Sequence, residues 1–205
     1  MNDRTPTVFV VDDDVAVCTS LRLLLRSVGL PAVTCASAAE FLAQFDAECP
    51  GCIVLDIRMP GMSGIELQQV LNERHSITPI VFITGHGDVP MAVEAMQAGA
   101  IDFIQKPFRD QDLLDRINRA LDRDRALRAE LSERDAIRQR IARLTPRERE
   151  VLDLVTKGKA NKVIAGDLEV SQRTVEIHRA RVMEKMGATS LVHLVRMVIE
   201  AEREN

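Results

Sequence analysis

No run in this 205-residue sequence approaches the roughly 20 consecutive apolar residues that a membrane-spanning helix needs. The first apolar stretch, Val8 to Val11, runs straight into three aspartates and lacks the flanks of a cleavable signal, so a cytoplasmic protein with no membrane partner is expected. Cysteine is scarce, at four residues. Cys18 and Cys35 are scattered, and Cys49-Pro50-Gly51-Cys52 precedes a strand instead of opening a helix after one. The thiols therefore read as loop and core residues, with redox sensing or metal binding as the alternative. Gly and Pro are absent from residues 111–143, which excludes a flexible tether there, and no sustained heptad runs through that segment to make it a committed coiled coil.

What is present is enough apolar content, 46%, to pack real cores, and enough length for two ordinary domains. Charge is unevenly spread: residues 1–121 carry a net −7, residues 122–144 +2 and residues 145–205 +1. An acidic front and a mildly basic back suggest two jobs.

The front half alternates short apolar runs with helical spacing. Strands are expected at Val8–Val11, Ala32–Cys35, Ile53–Leu55, Ile80–Ile83 and Ile101–Ile104. Helices are expected at Ser20–Val28, Ser37–Phe45, Ser63–Glu73, Pro90–Gln97 and from Asp110 onward. Five strands alternating with five helices predict an α/β doubly wound five-stranded parallel sheet. Right-handed crossovers then put every strand's carboxyl end on one edge, where such sheets bind ligands. That edge gathers Asp12, Asp13, Asp56, Thr84 and Lys106. Each alone is unremarkable as a cap, turn or loop start, but together they make a site. Three carboxylates in one crevice repel each other unless a hard cation is present, and oxygen donors of this kind suit Mg²⁺. A lysine ammonium and a hydroxyl beside them can neutralise and orient phosphoryl oxygens on Asp56 as nucleophile. An aspartyl-phosphate phosphatase would need a second acid for proton transfer, and Leu55-Asp56-Ile57-Arg58 has none two residues on.

Val10-Val11-Asp12-Asp13, Leu55 to Gly64, Thr84-Gly85-His86-Gly87-Asp88 and Lys106-Pro107-Phe108 resemble the receiver domain of two-component response regulators, over residues 5–122. The resemblance implies a flavodoxin-like fold and phosphorylation of Asp56 by a histidine kinase. It also implies Mg²⁺ held by Asp13, Asp56 and the Arg58 carbonyl with Asp12 acting through water, and phosphoryl contacts from Thr84 and Lys106. Phe103 falls at the family's switch aromatic. His75 and His86 read as solvated. Gln105 stands where an acid is frequent.

Residues 123–143 read as a helical linker, with Leu113, Ile117 and Leu121 forming a receiver-facing stripe ahead of it. Then Thr145-Pro146-Arg147-Glu148 is a helix start with cap, N1 proline and capping-box acid. Helices follow at Ala160–Leu168 and from the Ser171 cap to Met186, a helix-turn-helix. On a helical wheel Val175, Val182 and Met186 share the packing side, with His178 and Arg179 at its margins. Arg173, Glu176, Ile177, Ala180 and Glu184 lie opposite. Arg173, Glu176, Ile177 and Ala180 are the candidate base contacts; Lys159, Lys162, Ser171, Thr174, Arg179 and Lys185 are the candidate phosphate contacts. Leu144 to Leu152, Asn161 to Ala165 and Ser171 to Arg179 resemble the LuxR-type DNA-binding domain, and the module order resembles the FixJ subfamily. That places an all-α four-helix helix-turn-helix domain at 144–205. The resemblance implies double-stranded DNA as partner, a homodimer on phosphorylation, contact with RNA polymerase, and a transcription regulator rather than a turnover enzyme. It also makes the last helix, expected at Thr189–Glu202 with a stripe of Leu191, Leu194, Val195 and Val198, a dimer contact.

Overall fold

The computed structural model describes residues 5–85 and 89–203. The expectations that fall on His86, Gly87 and Asp88 lie outside the described residues. The chain divides into two compact units, residues 1–128 and 129–205. The division falls inside the stretch read as a linker.

In the first unit β1 (Thr7–Val11), α1 (Val15–Ser27), β2 (Ala32–Cys35), α2 (Ala38–Gln44), β3 (Gly51–Asp56), α3 (Gly64–Glu73), β4 (Ile80–Thr84), α4 (Val89–Gln97), β5 (Asp102–Gln105) and α5 (Asp110–Ala142) follow in turn, α5 running on past the unit's end. The strands pair in parallel in the order β2-β1-β3-β4-β5. β3 is buried along its whole length because both sheet faces are covered. On one face Ile53 and Leu55 pack with Phe9, Phe41, Leu67 and Phe82; on the other Val54 packs with Val10, Leu25, Ile83, Leu113 and Ile117.

α1 begins five residues before the expected Ser20. Asp14 is its N-cap, accepting from the Ala16 and Val17 amides, whereas Val15 is 69% exposed and carries no sign of the buried face. Cys18 and Cys35, expected to be scattered, are neighbours: the Cys18 thiol donates to the Asp12 carbonyl at 3.2 Å and lies 3.9 Å from that of Cys35.

In the second unit α6 (Pro146–Thr156), α7 (Asn161–Asp167), α8 (Gln172–Met186) and α9 (Leu191–Glu202) surround a core of Val151, Leu152, Ile164, Val175, Val182 and Leu194. The capping box of Thr145 and Glu148 is formed. α9 starts at Leu191, capped by Ser190, and its expected stripe divides. Leu194 and Val198 are core residues, joined there by Met197 and Ala201, while Leu191, Val192 and Ile199 are exposed.

Candidate functional site

The strand order reverses between β1 and β3, and the crevice there receives one acid from each. Asp56 is the last residue of β3 and Asp12 follows β1; both are buried, as is Thr84 at the end of β4. Lys106 follows β5, its amide donating to the Thr84 carbonyl at 2.8 Å. Its ammonium reaches across the sheet edge to Asp12 Oδ2 at 2.7 Å and Asp56 Oδ1 at 2.8 Å. The remaining oxygens are also engaged: Asp12 Oδ1 accepts from the Asp14 amide at 2.9 Å and Asp56 Oδ2 from the Arg58 amide at 2.7 Å. Asp13 is exposed at the mouth.

Burial pushes the Asp56 carboxyl up, and its hydrogen bond to Lys106 pulls it partly back. For Lys106 burial works against the charge, but its bonds to Asp12 and Asp56 outweigh it and the ammonium is held above its usual range. The site therefore keeps a cation against two acids. The donors around it are the carboxylates of Asp12 and Asp56, hard oxygens. Among the described residues no three His, Cys, Asp or Glu side chains form a closed metal cluster. Hard oxygen donors suit Mg²⁺, which retains several waters and takes few protein ligands. Phe103 is half-buried on β5 against the core formed with α2, α3 and α4. Arg116 of α5 donates to the Phe103 carbonyl at 3.1 Å, a link that no local pattern announces.

On α8 Val175, Val182 and Met186 are buried, and Arg173, Glu176, Ile177 and Ala180 are all exposed. Arg181, one turn beyond Ile177 and not among the expected contacts, is exposed as well. The expected phosphate contacts are differently placed. Lys162 is exposed. Ser171 Oγ accepts from the Thr174 amide at 3.1 Å and bonds the Thr174 hydroxyl at 2.8 Å, so both serve the cap of α8. Lys159 pairs with Asp167 at 2.7 Å, and Arg179 donates to Asn161. Lys185 pairs with Glu148 at 2.6 Å.

Residues 8–118 match the response regulator receiver domain, and residues 142–198 match the bacterial regulatory proteins of the luxR family. The chain is a response regulator. It is 49% identical over 193 residues to the transcriptional regulatory protein FixJ of Rhizobium meliloti, covering 94% of this chain and 95% of that one. Nodulation protein W of Bradyrhizobium diazoefficiens is 46% identical over 190 residues, 93% and 84% of the two chains. Among solved structures, response regulator StyR superposes with a TM-score of 0.87 at 48% identity, covering 96% of this chain and 99% of that one. Full-length FixJ from B. japonicum superposes at 0.60 and 42%, covering 98% and 100%. This response regulator thus joins a receiver to a LuxR-type DNA-binding domain and is a transcriptional regulator. Among the described residues no helix is long and apolar enough to cross a membrane.

The response regulator's four cysteines are free. Burial pushes the Cys52 thiol up to about 12 and that of Cys35 up to about 11, so neither forms thiolate readily, which weighs against the redox alternative.

Glu148 does more than the capping-box role legible from Thr145-Pro146-Arg147-Glu148. It is 2% exposed, accepts from the Thr145 amide at 2.9 Å and receives the Lys185 ammonium from α8. Those two bonds, the Lys185 one foremost, hold its carboxyl down at about 2. A depressed carboxylate stabilises the fold above its unfolded value, 4.5, and that contribution is lost as pH falls through about 2. Glu148→Gln is expected to cost the second unit about 2 kcal/mol at neutral pH. The midpoint of its helical unfolding, followed by circular dichroism, should fall more steeply below pH 4.5 in wild type than in the variant. Parallel pH profiles would remove the linkage.

Proposed function

We propose that this response regulator is phosphorylated on Asp56 by a partner histidine kinase and thereby gains affinity for a two-half-site operator. The observation that carries the reading is Lys106 bridging Asp12 and Asp56 at the sheet edge, one strand from buried Thr84. An Asp56 oxygen attacks the phosphorus of a phosphohistidine, the P–N bond breaks, and the imidazole leaves with the electron pair. Asp13, Asp56 and the Arg58 carbonyl would hold Mg²⁺, with Asp12 acting through water. When bound, that ion neutralises phosphoryl oxygens in the crowded acidic crevice. Lys106 follows the acceptor oxygen onto the phosphoryl group, and Thr84 hydrogen-bonds it. The added charge, about −1.5 to −2, biases Thr84 and Phe103 toward a second arrangement. The reading is of an acceptor that self-hydrolyses slowly, not a turnover enzyme.

The domain assignment goes with this: a receiver at 5–122 and a DNA-binding domain at 144–205, joined through α5. Exposed Val93 and Met96 on α4, beside β5, offer the receiver a dimer face; exposed Leu191, Val192 and Ile199 on α9 offer the DNA-binding unit another. On α8, Glu176 can accept from a cytosine amino group and Ile177 and Ala180 can meet thymine methyls. Arg173 can reach a base or phosphate, and Lys162 a phosphate. RNA polymerase is the partner a bound regulator would recruit or block, in the cytoplasm.

The test is one titration performed twice, on a duplex selected from a random pool by the phosphorylated chain. With a small acyl phosphate and Mg²⁺ the apparent affinity should rise at least about tenfold, and the sedimenting species should shift from monomer to dimer. Full phosphorylation with unchanged affinity and sedimentation would sink the switch.

A further inference from the structure

α8 buries Val175, Val182 and Met186 in the core, with Met183 packed against it, and polar tethers complete its seating. α7 supplies Asn161 to Arg179 and α6 supplies Glu148 to Lys185. The third tether comes from outside the matched LuxR-type region, which starts at residue 142. The end of α5, from Ala129, belongs to the second unit, with Ile137 buried in its core and Ile141 packed against it. Between them Arg140 donates through Nη1 to the Met186 carbonyl, the last of α8, at 2.9 Å.

That carbonyl needs a donor. The last turn of an α-helix leaves its carbonyls without intrahelical partners. In α8 the Gly187 and Ala188 amides return to Glu184 and Met183, and Met186 is met by the guanidinium. A cation there also complements the negative end of the helix dipole. The chain turns away at Gly187 with φ +67, and a Cβ on that residue would stand 3.4 Å from Arg140 Nη1, so the arginine lies directly on the turn. Two residues earlier Arg138 does the same for α9, donating through Nε to the Ala201 carbonyl at 3.0 Å and through Nη2 to that of Arg203 at 3.4 Å. One helical segment thus sets a guanidinium on the carboxyl ends of both α8 and α9.

We infer that Arg140 is a positioning residue for the recognition helix: it governs DNA affinity through the seating of α8, without touching DNA, and the last turns of α5 are a working part of the DNA-binding unit. The inference rests on α8 being the DNA-reading helix. Its test uses the full chain and a duplex that the wild type selects from a random pool. Affinity is measured across a range of salt concentrations for wild type, Arg140→Ala and Arg140→Lys. Arg140→Ala should weaken binding about tenfold, and Arg140→Lys, which keeps a cation and a donor, should recover most of it. The slope of log affinity against log salt should stay at the wild-type value in both, because no phosphate contact is lost. A slope lower by about 1 in Arg140→Ala would make Arg140 a phosphate contact and overturn the inference. So would wild-type affinity in Arg140→Ala. Should Arg140→Ala fail to keep its helical signal, Arg140→Lys and Arg140→Gln carry the test, and equal affinity of those two would overturn the role of the cation. A wild type that selects no duplex overturns the DNA-reading assignment itself, an outcome separate from the loss of Arg140's role alone.

Discussion

Asp56→Asn should take up no phosphoryl group from a small acyl phosphate and Mg²⁺, with label incorporation at background while wild type labels to near one per chain. The loss is chemical, because the substitution removes the attacking group and disturbs only one hydrogen bond around it. The single amide oxygen can keep either Lys106 or the Arg58 amide as donor, so one of the hydrogen bonds at 2.8 and 2.7 Å, which go to different Asp56 oxygens, is lost. What disappears is the anionic oxygen that attacks phosphorus, and a neutral amide oxygen does not replace it. Stability should move little. Burial already disfavours the Asp56 charge and Lys106 retains Asp12 at 2.7 Å, so the relief of one buried acid and the one lost hydrogen bond should cancel to within about 1 kcal/mol. The pairing of lost labelling with a nearly unchanged melting temperature is the signature. Labelling that survives in Asp56→Asn would move the acceptor elsewhere, and labelling lost together with the fold would leave structure as its cause. Multiple turnover of a phosphomonoester by wild type would bring back the enzyme reading.

The parts of this fold that were legible in the sequence are those written in short-range patterns. β3 shows as Ile53-Val54-Leu55 because a strand covered on both faces is apolar at every position, and Asp56 stands out because the pattern breaks there. α8 divided correctly on a wheel because its three buried residues repeat at helical spacing and most of its other positions are polar. α9 defeated the same method. Its apolar residues, Leu191, Val192, Leu194, Val195, Met197, Val198 and Ile199, exceed what one face can bury, so spacing alone does not say which of them line the core. α1 was misplaced for a related reason: the side chain that opens it, Val15, is exposed, and the residue that starts it is a cap. Polar tethers were the least legible. Nothing near Lys185 in the sequence announces its ion pair with Glu148, 37 residues away. Cys18 and Cys35 meet only because α1 lies against the β1–β2 edge, and Arg116 bonds Phe103 across the α5–β5 packing. Such contacts depend on topology, and no window of residues contains them.

Replacing Gly64 should damage this receiver severely, and Gly61, in the loop just before it, supplies the control. Both follow Asp56 within eight residues, but the structure gives them different work. Gly64 opens α3 pressed against the end of β3, where its amide donates to the Ile57 carbonyl at 2.9 Å. A Cβ built on it would overlap the carbonyl oxygen of Asp56 and stand 3.1 Å from Phe82 Cε1. The first obstacle is backbone and the second is a fully buried ring, so neither yields by rotating a side chain. Gly64→Ala must therefore push α3 off the strand or shift the backbone of the acceptor residue, at a cost of about 3 kcal/mol or more. Gly61 has φ +78 and nothing within 4 Å of a built Cβ, so Gly61→Ala meets only the left-handed backbone penalty, about 1–2 kcal/mol. Thermal unfolding of the two variants should rank them in that order. The sharper readout is the rate of Asp56 labelling in the fraction that stays folded. It should drop in Gly64→Ala, whose new methyl bears on Asp56 itself, and remain close to wild type in Gly61→Ala. Equal labelling rates would mean that α3 gives way and leaves the acceptor where it was, and the close approach of Gly64 to Asp56 would then serve packing alone.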